Sequence, residues 1–423
     1  LPMAWVGDNL FSYAQALVGA FTIGCPESVD TVLLDLKEIG PTYFFGPPRV
    51  YESLLTQITI RMEDASALKK RLFATFMEVA RRVGPRILDG SPVPLHERLL
   101  YLLGNVLIYA PLKNVLGLSR VRLAYTAGEA VGPDLLMFFR SLGINVKQFY
   151  GMTEASVFVS IQPDGAVKPE SSGTPLKGVE VRIAEDGEVL FKSPGMFQAY
   201  YKDPEATAAA HTADGWMKTG DAGFLDEEGH LRIIDRAKDV GRLADGSLFA
   251  PKYLENKLKF FSYVKEAVAF GDGREYAAAF VNIDLPCVAS WAEHKRLAFG
   301  GYLELAGKDE IYELVRECIE KVNRDLASEP RLASSQIRRF LVLPKELDAD
   351  DGELTRTRKV RRRVIAERYA SLIEALYSEA EVVSFDTPVR FEDGRAGVVR
   401  ASVKLRDAAV FPAAGAERRR ASA

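Results

Sequence analysis

The sequence predicts an α/β protein in which a large α/β domain precedes a smaller α+β domain. Strand-like and helix-like segments alternate through the first part of the chain, which is the pattern of a mainly parallel sheet covered by helices. Beyond residue 173 the segments become short and β-rich, and the composition shifts again after residue 239. With 423 residues, 48% hydrophobic and 27% charged, the chain is predicted to be globular and to hold two or three domains.

Helical periodicity is clearest in the first hundred residues. Apolar residues recur every three or four positions in 50–62 and 67–82, which predicts two amphipathic helices. The apolar run at 99–107 predicts a further, buried helix. That run is far shorter than the roughly 20 residues that a transmembrane helix needs.

A βαβ unit is predicted next, with a buried strand at 121–125, a helix at 133–142 and a second strand at 145–150. Both strands then end at the same edge of a sheet, where ligands of open α/β sheets bind. The loops 126–131 and 151–156 are therefore predicted to hold a ligand such as a nucleotide.

The rest of the chain is predicted as a mixture of strands, helices and one tail. Strands are predicted at 179–183, 188–192, 264–270 and 277–283, and helices at 312–326 and 363–377. Residues 408–423 are rich in alanine, end near three arginines and show no periodicity, so a disordered tail is predicted there.

Charge and cysteine content exclude several classes of protein. The chain has 55 Lys plus Arg against 58 Asp plus Glu, a balance that gives no general attraction to nucleic acid. Three cysteines, Cys25, Cys287 and Cys318, are too few and too far apart for a disulfide framework or a metal cluster. Each is predicted to be a small buried side chain, and a reducing cytoplasm is the expected compartment. Residues 1–22 lack the basic start of a signal peptide.

Residues 214–239, DGWMKTGDAGFLDEEGHLRIIDRAKD, carry the most specific pattern. The carboxylate of Asp221, on a glycine turn, can accept both hydroxyls of a ribose, and Arg236 can reach the same sugar or its phosphate. This stretch strongly resembles the one that marks long-chain acyl-CoA synthetases within the superfamily of adenylate-forming enzymes. The segment 148–156, QFYGMTEAS, is similar to the family's Tyr-Gly-x-Thr-Glu element, and 352–363, GELTRTRKVRRR, is similar to its final catalytic-lysine motif.

The resemblance implies a fold, a reaction and a set of cofactors. It implies ligation of a long-chain fatty acid to coenzyme A through an acyl-adenylate, with ATP and Mg²⁺ required and AMP and pyrophosphate released. The expected partners are these small molecules and no nucleic acid, and a peripheral membrane contact stays open because fatty acids reside there. The implied domains are an AMP-binding domain at 1–235 with a β-rich subdomain at about 173–235, a hinge at 236–239, a lid domain at 240–407 and the tail at 408–423.

The resemblance also assigns roles to individual residues. Glu154 is the expected Mg²⁺ ligand, Thr153 the expected phosphate contact, and Lys359 the catalytic lysine, with Arg358 as a local competitor. The expected nucleotide-binding residues are Gly128, Glu129, Ala130, Gln148, Tyr150, Gly151, Asp221 and Arg236. Lys238 is the expected hinge residue, Arg242 and Gly246 are expected along the pantetheine channel, and Trp5, Phe44 and Phe45 are expected along the acyl tunnel or in the core.

One departure from the family pattern raises two alternatives. The family's phosphate-binding loop, rich in Ser, Thr and Gly and ending in Pro-Lys-Gly, occurs nowhere in the 423 residues. In the family that loop lies upstream of the segment that residues 1–26 resemble, so the chain is expected to be N-terminally incomplete and inactive alone. The alternatives are a non-catalytic fragment that binds nucleotide or acyl chain, and an acyl-AMP ligase that stops at the adenylate or loads a carrier protein.

Overall fold

The computed structural model describes residues 5–28, 31–128, 131–329, 331–355, 360–390 and 396–413. The chain divides into two compact units, Leu1–Ala237 and Lys238–Ala423, called unit 1 and unit 2 below. The division falls within residues 236–239, the segment that the sequence predicts as a hinge.

Unit 1 contains helices of several kinds and nine strands among its described residues. Its α-helices are α1 (Gln15–Gly19), α2 (Val32–Ile39), α3 (Pro48–Glu63), α4 (Ala67–Leu88), α5 (Leu95–Gly104), α6 (Ala110–Val115), α7 (Pro133–Ser141) and α8 (Pro204–Ala209). Asp8–Ala14 and Asn105–Tyr109 are π-helical, and Thr153–Ala155 forms a 3₁₀ turn. The strands are β1 (Tyr43–Phe45), β2 (Leu123–Thr126), β3 (Val146–Tyr150), β4 (Ser160–Ile161), β5 (Thr174–Pro175), β6 (Glu180–Ile183), β7 (Glu188–Lys192), β8 (Met217–Leu225) and β9 (Leu231–Arg236).

Two sheets organise unit 1. The first has the order β1-β2-β3-β4-β5, in which β1, β2 and β3 run parallel and β4 and β5 continue antiparallel. The second, β6-β7-β8-β9, is entirely antiparallel. The predicted βαβ unit is confirmed as β2, α7 and β3, and α7 begins with a proline, whose missing N–H costs nothing in a first helical turn.

Unit 2 is built around a third sheet. Its α-helices are α9 (Pro251–Lys259), α10 (Leu285–His294), α11 (Tyr302–Ala306), α12 (Asp309–Ser328), α13 (Arg362–Arg368) and α14 (Ala370–Leu376). Its strands are β10 (Gly241–Arg242), β11 (Leu248–Phe249), β12 (Val264–Phe270), β13 (Ala277–Ile283), β14 (Ile337–Val342), β15 (Val382–Arg390), β16 (Ala396–Lys404) and β17 (Arg406–Asp407). A 3₁₀ turn, Ala333–Ser335, precedes β14.

The sheet of unit 2 explains its α+β character. The order is β12-β13-β14-β17, with β13 and β14 parallel and the other pairs antiparallel. The parallel pair requires a crossover, which α10, α11 and α12 supply. Every residue of β13 is buried, as expected for a central strand covered on both faces. The predicted bounds of β12 and β13 are confirmed.

Two predictions for unit 2 are wrong in detail. The helix predicted at 363–377 is divided, because Tyr369 lies between α13 and α14 with φ −105° and ψ 21°. Its buried hydroxyl donates a hydrogen bond of 2.8 Å to Glu353. The predicted disordered tail begins too early at 408, since Asn323 donates to the carbonyl oxygen of Ala409 at 2.8 Å and Phe411 N–H donates to Gln336 at 2.6 Å. Residues 414–423 lie outside the described residues.

Two predictions of burial in unit 1 are also wrong. The segment 99–107 is helical, within α5 and the π-helical turn, but Leu99 is 58% exposed and Leu102 and Leu107 are exposed as well. Leu95, Leu99, Leu102 and Leu103 recur at helical spacing, so they form one apolar face of α5, and this face is exposed. Cys25 is exposed, whereas Cys287 and Cys318 are buried as predicted. No helix in the described part of the chain is long and apolar enough to cross a membrane.

Candidate active site

Three predicted residues meet in unit 1 where its two sheets approach each other. The hydroxyl of Tyr150 donates a hydrogen bond of 2.6 Å to Oδ2 of Asp221. The guanidinium of Arg236 lies 3.0 Å from Oδ1 of the same carboxylate. Asp221 is half-buried and Arg236 is exposed, so the ion pair is accessible to solvent on the arginine side. The structure therefore brings together three of the residues that the sequence assigns to a nucleotide.

The local fold explains why these three side chains converge. Asp221 in β8 and Arg236 in β9 are direct cross-strand partners, and the closest pairs on one face of an antiparallel sheet have their side chains in contact. Tyr150 is the last residue of β3, at the carboxyl end of the parallel strands. This is the position at which α/β sheets bind ligands.

A network of hydrogen bonds fixes the turn that carries Asp221. Thr219 donates to the carbonyl oxygen of Val189 at 2.7 Å, and the N–H of Asp221 donates to the Thr219 hydroxyl at 3.1 Å. The N–H of Gly220 donates to Glu188 at 2.8 Å, with Gly220 at φ +68°, a conformation that favours glycine. The Asp221 carboxylate is consequently held by backbone geometry as well as by its own partners.

The loop that follows Tyr150 is tightly constrained. A Cβ atom at Gly151 would lie 1.5 Å from the carbonyl oxygen of Val157, so only glycine fits. Ser156 and Val157 both have positive φ, +48° and +79°, and a β-branched residue rarely adopts such a conformation. Strained backbone of this kind is concentrated at ligand-binding sites, where the surrounding structure holds it in place.

Glu154 lies in this loop, within the 3₁₀ turn, and Tyr200 fixes its side chain. The Tyr200 hydroxyl donates to Oε1 of Glu154 at 2.7 Å, and the N–H of Phe197 donates to the Glu154 carbonyl oxygen at 2.8 Å. Thr153 precedes Glu154 in the turn and is exposed. A hard carboxylate oxygen beside an accessible hydroxyl fits Mg²⁺ that is shared with phosphate oxygens.

The two tyrosines act as hydrogen-bond donors across the ordinary pH range. Burial, together with the negative charge of Asp221, raises the pKa of Tyr150 well above its usual range. The hydrogen bond to Glu154, followed by burial, raises the pKa of Tyr200 to about 12. Both phenols thus stay protonated and able to donate to their carboxylate partners.

The remaining predicted nucleotide residues are placed only in part. Gln148 lies two residues before Tyr150 on the same face of β3, and its N–H donates to Gln162 at 2.7 Å. Gly128 follows β2 with φ +93° and open space on the side where a Cβ would lie. Glu129 and Ala130 lie outside the described residues.

The predicted residues of unit 2 are described only through their own local contacts. Lys238 and Arg242 are exposed, and Arg242 donates to the carbonyl oxygen of Gly246 at 2.8 Å across the turn between β10 and β11. Lys359 and its competitor Arg358 lie outside the described residues. The hinge, channel and catalytic-lysine roles stay predictions.

The residues predicted for an acyl tunnel fall into different environments. Phe45 belongs to an aromatic cluster with Phe11 and Phe149, at centroid distances of 4.9 and 5.5 Å. Phe44 packs edge-on against Tyr51 at 5.7 Å. Trp5 is exposed. The aromatic cluster lines the strand that ends in Tyr150, and the tunnel itself stays a prediction.

The sequence did not single out Tyr200, Thr219 or Glu188 for the site. All three lie in stretches that resemble the family, but only the folded contacts show that they support Glu154 and Asp221. Among the described residues, no group of three or more His, Cys, Asp or Glu side chains could hold a metal ion. A metal at Glu154 would therefore need ligands from a bound substrate as well.

Comparison with known proteins follows the same division of the chain. The model of the AMP-binding enzyme family matches residues 1–201, and that of the AMP-binding enzyme C-terminal domain matches residues 238–381. The long-chain-fatty-acid–CoA ligase FadD15 of Mycobacterium bovis is 32% identical over 387 residues. The match covers 90% of this chain and 62% of that protein. FadD15 of Mycobacterium tuberculosis is similar to the same extent.

A solved structure supports the fold. The adenylation domain of a carboxylate reductase from Mycobacterium chelonae superposes with a TM-score of 0.56 at 23% identity, covering 82% of this chain and 48% of that one. The chain thus spans less than two thirds of the proteins that it resembles. The two family matches and the identity over most of the sequence show that the chain belongs to the family of AMP-binding, adenylate-forming enzymes.

Proposed function

We propose that this protein acts in the ATP-dependent ligation of a long-chain fatty acid to coenzyme A through an acyl-adenylate. The observation that carries the proposal is the Tyr150–Asp221–Arg236 cluster at the carboxyl end of β3, with Glu154 four residues further along the chain. The similarity to fatty-acid–CoA ligases over 90% of the chain supports the choice of substrate.

The nucleotide is proposed to bind with its ribose hydroxyls on Asp221. Each carboxylate oxygen has two acceptor sites, so Asp221 can keep its bonds to Tyr150 and Arg236 while it accepts the ribose. The ring of Tyr150 offers a flat face to the adenine, and Gly151 lets the backbone approach closely. Arg236 then contributes positive charge near the α-phosphate.

In the first step, the fatty acid carboxylate attacks the α-phosphate of ATP, and pyrophosphate leaves. Glu154 is the residue that would hold Mg²⁺, which would neutralise charge on the phosphoryl oxygens, and Thr153 would contact a phosphate oxygen. The residues of the chain mainly position the reactants, since positioning and charge stabilisation supply most of the catalysis in phosphoryl transfer. Lys359 is proposed to bridge the acyl carboxylate and the α-phosphate.

In the second step, the thiol of coenzyme A attacks the acyl-adenylate carbonyl, and AMP leaves. AMP is a good leaving group, so the proposal assigns no general base and relies on proximity. Lys238 is proposed as the residue about which unit 2 rearranges between the two steps. Arg242 and Gly246 are proposed to line the pantetheine channel.

The absent Pro-Lys-Gly loop limits what the 423 residues are proposed to do alone. Such a loop would supply backbone N–H groups and a lysine for the β- and γ-phosphates. The chain by itself is therefore proposed to bind an acyl-adenylate but to lack measurable ligase activity. Its three cysteines are too few and too far apart for a disulfide framework, which supports a reducing compartment, and we propose the cytoplasm.

The proposal is tested by calorimetric titration of the chain with a non-hydrolysable acyl-adenylate mimic that carries a long acyl chain. Asp221→Asn should weaken binding about 10- to 100-fold, because a hydrogen bond to a charged group contributes roughly 1.5–3 kcal/mol. Asp214→Asn is the matched control, since Asp214 is exposed in the turn before β8 and pairs with Arg182. Equal affinity of wild type and Asp221→Asn would exclude the ribose site.

A second titration tests the acyl substrate. The same mimic without its acyl chain should bind at least about tenfold more weakly, because burial of each CH₂ group is worth about 0.8 kcal/mol. If the two compounds bind equally, the fatty acid assignment is wrong and the chain is a nucleotide-binding fragment.

A further inference from the structure

We propose that Tyr200 is a positioning residue that orients the Glu154 carboxylate toward a nucleotide-bound divalent cation. The inference rests on the proposed function, because it takes Glu154 as the cation ligand. Tyr200 lies 46 residues further along the chain, in the segment between β7 and α8.

Three hydrogen bonds join the Glu154 loop to the segment that contains Tyr200. The Tyr200 hydroxyl donates to Oε1 of Glu154 at 2.7 Å, and the N–H of Phe197 donates to the Glu154 carbonyl oxygen at 2.8 Å. Ser156 donates to the carbonyl oxygen of Gly195 at 2.8 Å. The contact therefore fixes both the backbone and the side chain of Glu154.

Tyr200 is itself held in place. Its ring packs edge-on against Phe197 at a centroid distance of 4.7 Å, and its N–H donates to the hydroxyl of Thr207 at 3.0 Å. Thr207 belongs to α8, whose first turn is capped by Asp203. Because these contacts restrain Tyr200, its hydroxyl can hold the Glu154 carboxylate in one orientation.

The chemistry of the contact suits a cation ligand. A neutral hydroxyl orients a carboxylate without cancelling its charge, whereas a lysine or arginine would compete with the cation. In the described part of the chain, no ion pair to Glu154 occurs and no hydrogen bond reaches its other oxygen, Oε2. Because Oε1 is engaged by Tyr200, Oε2 is the oxygen left to face the ligand.

The test uses Mn²⁺ as the probe and does not depend on turnover. Mn²⁺ binding to the full chain is followed by electron paramagnetic resonance in the presence of the non-hydrolysable ATP analogue with a methylene group between the α- and β-phosphorus atoms. Tyr200→Phe removes only the hydroxyl and should weaken Mn²⁺ binding about 10- to 100-fold, the size of one hydrogen bond to a charged group. Tyr201→Phe is the matched control, since this neighbour is 87% exposed and should leave binding unchanged.

A double-mutant cycle separates positioning from a general structural effect. In a Glu154→Gln background, Tyr200→Phe should have no further effect on Mn²⁺ binding, because its action passes through the carboxylate. An equal loss in both backgrounds would overturn the positioning role. Titration with the metal-free acyl-adenylate mimic should give the same affinity for wild type and Tyr200→Phe, since the ribose contacts are separate.

The outcomes distinguish this inference from the proposed function. If Glu154→Gln weakens Mn²⁺ binding and Tyr200→Phe does not, the positioning role is wrong and the metal assignment stands. If Glu154→Gln has no effect, or if wild type binds no Mn²⁺ with the analogue, the metal assignment fails and the inference fails with it.

Discussion

Two regions of this chain treat their apolar side chains in opposite ways, the core of unit 2 and helix α5 of unit 1. In unit 2, residues of β13, β14, α13 and α14 form a continuous buried cluster that includes Phe280, Leu341, Tyr369 and Leu372. In unit 1, helix α5 exposes much of its apolar surface, with Leu95 74% exposed and Leu103 also at the surface, and Val106 in the following π-helical turn is exposed as well. Leucine side chains therefore form a core in one region and a surface in the other.

Charged groups sharpen the same contrast. Unit 2 buries the Glu353 carboxylate completely, at 0% exposure, and Arg368 and Tyr369 donate to its Oε1 at 2.7 and 2.8 Å. The N–H of Arg361 also donates to the carbonyl oxygen of Glu353 at 2.8 Å. In unit 1, the Asp221–Arg236 pair stays open to solvent on the arginine side. The buried Glu353 carboxylate is thus paired within unit 2, whereas the partly exposed Asp221–Arg236 pair belongs to the candidate site of unit 1.

The largest expected effect comes from the buried carboxylate of unit 2. Glu353→Ala should destabilise this unit by about 3–5 kcal/mol, because it leaves Lys345 and Arg368 without their buried partner. Glu374→Ala is the control, since its ion pair with Arg274 is exposed and should contribute about 0–1 kcal/mol. Hydrogen-exchange mass spectrometry, read separately for peptides of each unit, measures both. Equal losses for the two variants would contradict the contrast between the units.

Leucine substitutions should give the next largest effect. Leu372→Ala, at a fully buried position of unit 2, should cost about 2–5 kcal/mol of unfolding free energy through a cavity. Leu99→Ala, on the exposed surface of α5, should change stability by no more than about 0.5 kcal/mol. Denaturant unfolding followed by peptide-resolved exchange separates the units. A large cost for Leu99→Ala would mean that α5 packs against another surface in solution.

The smallest expected effect is a pH dependence confined to unit 1. Burial, followed by the charge of Lys168, lowers the pKa of His230, which outweighs the opposite influence of Asp226 and Glu228. A depressed folded pKa means that the folded state prefers neutral histidine, so this stability is present above the ordinary pKa of 6.5 and is lost as the pH falls below it.

The histidine prediction is checked by thermal unfolding between pH 7.5 and 5, with each unit followed separately. His230→Gln should flatten the pH profile of unit 1, whereas His294→Gln, at an exposed position of unit 2, should not. An unchanged profile in His230→Gln would show that another group in unit 1 titrates in this range.

Local sequence determined the elements and the chemistry of the candidate site. Hydrophobic periodicity and turn residues predicted β12, β13 and the βαβ unit. Both signals are local, because the spacing of apolar residues and a proline at a helix start depend only on residues close in the sequence. The sequence also predicted the pairing of Asp221 with Arg236, since the register of one antiparallel strand pair brings them together. Glu154 was found from its motif in the same way.

Tertiary structure alone decided that the apolar face of α5 is exposed, that the helix breaks at Tyr369 and that Tyr200 contacts Glu154. A sequence pattern states which side chains are apolar, but whether they are covered depends on another surface that is distant in the chain. At the helix break the Tyr369 hydroxyl bonds to Glu353, 16 residues away, and the Tyr200 contact spans 46 residues. These contacts are set by how sheets and loops pack together. Local propensity cannot predict them, because it does not encode which distant donor an acidic side chain will contact.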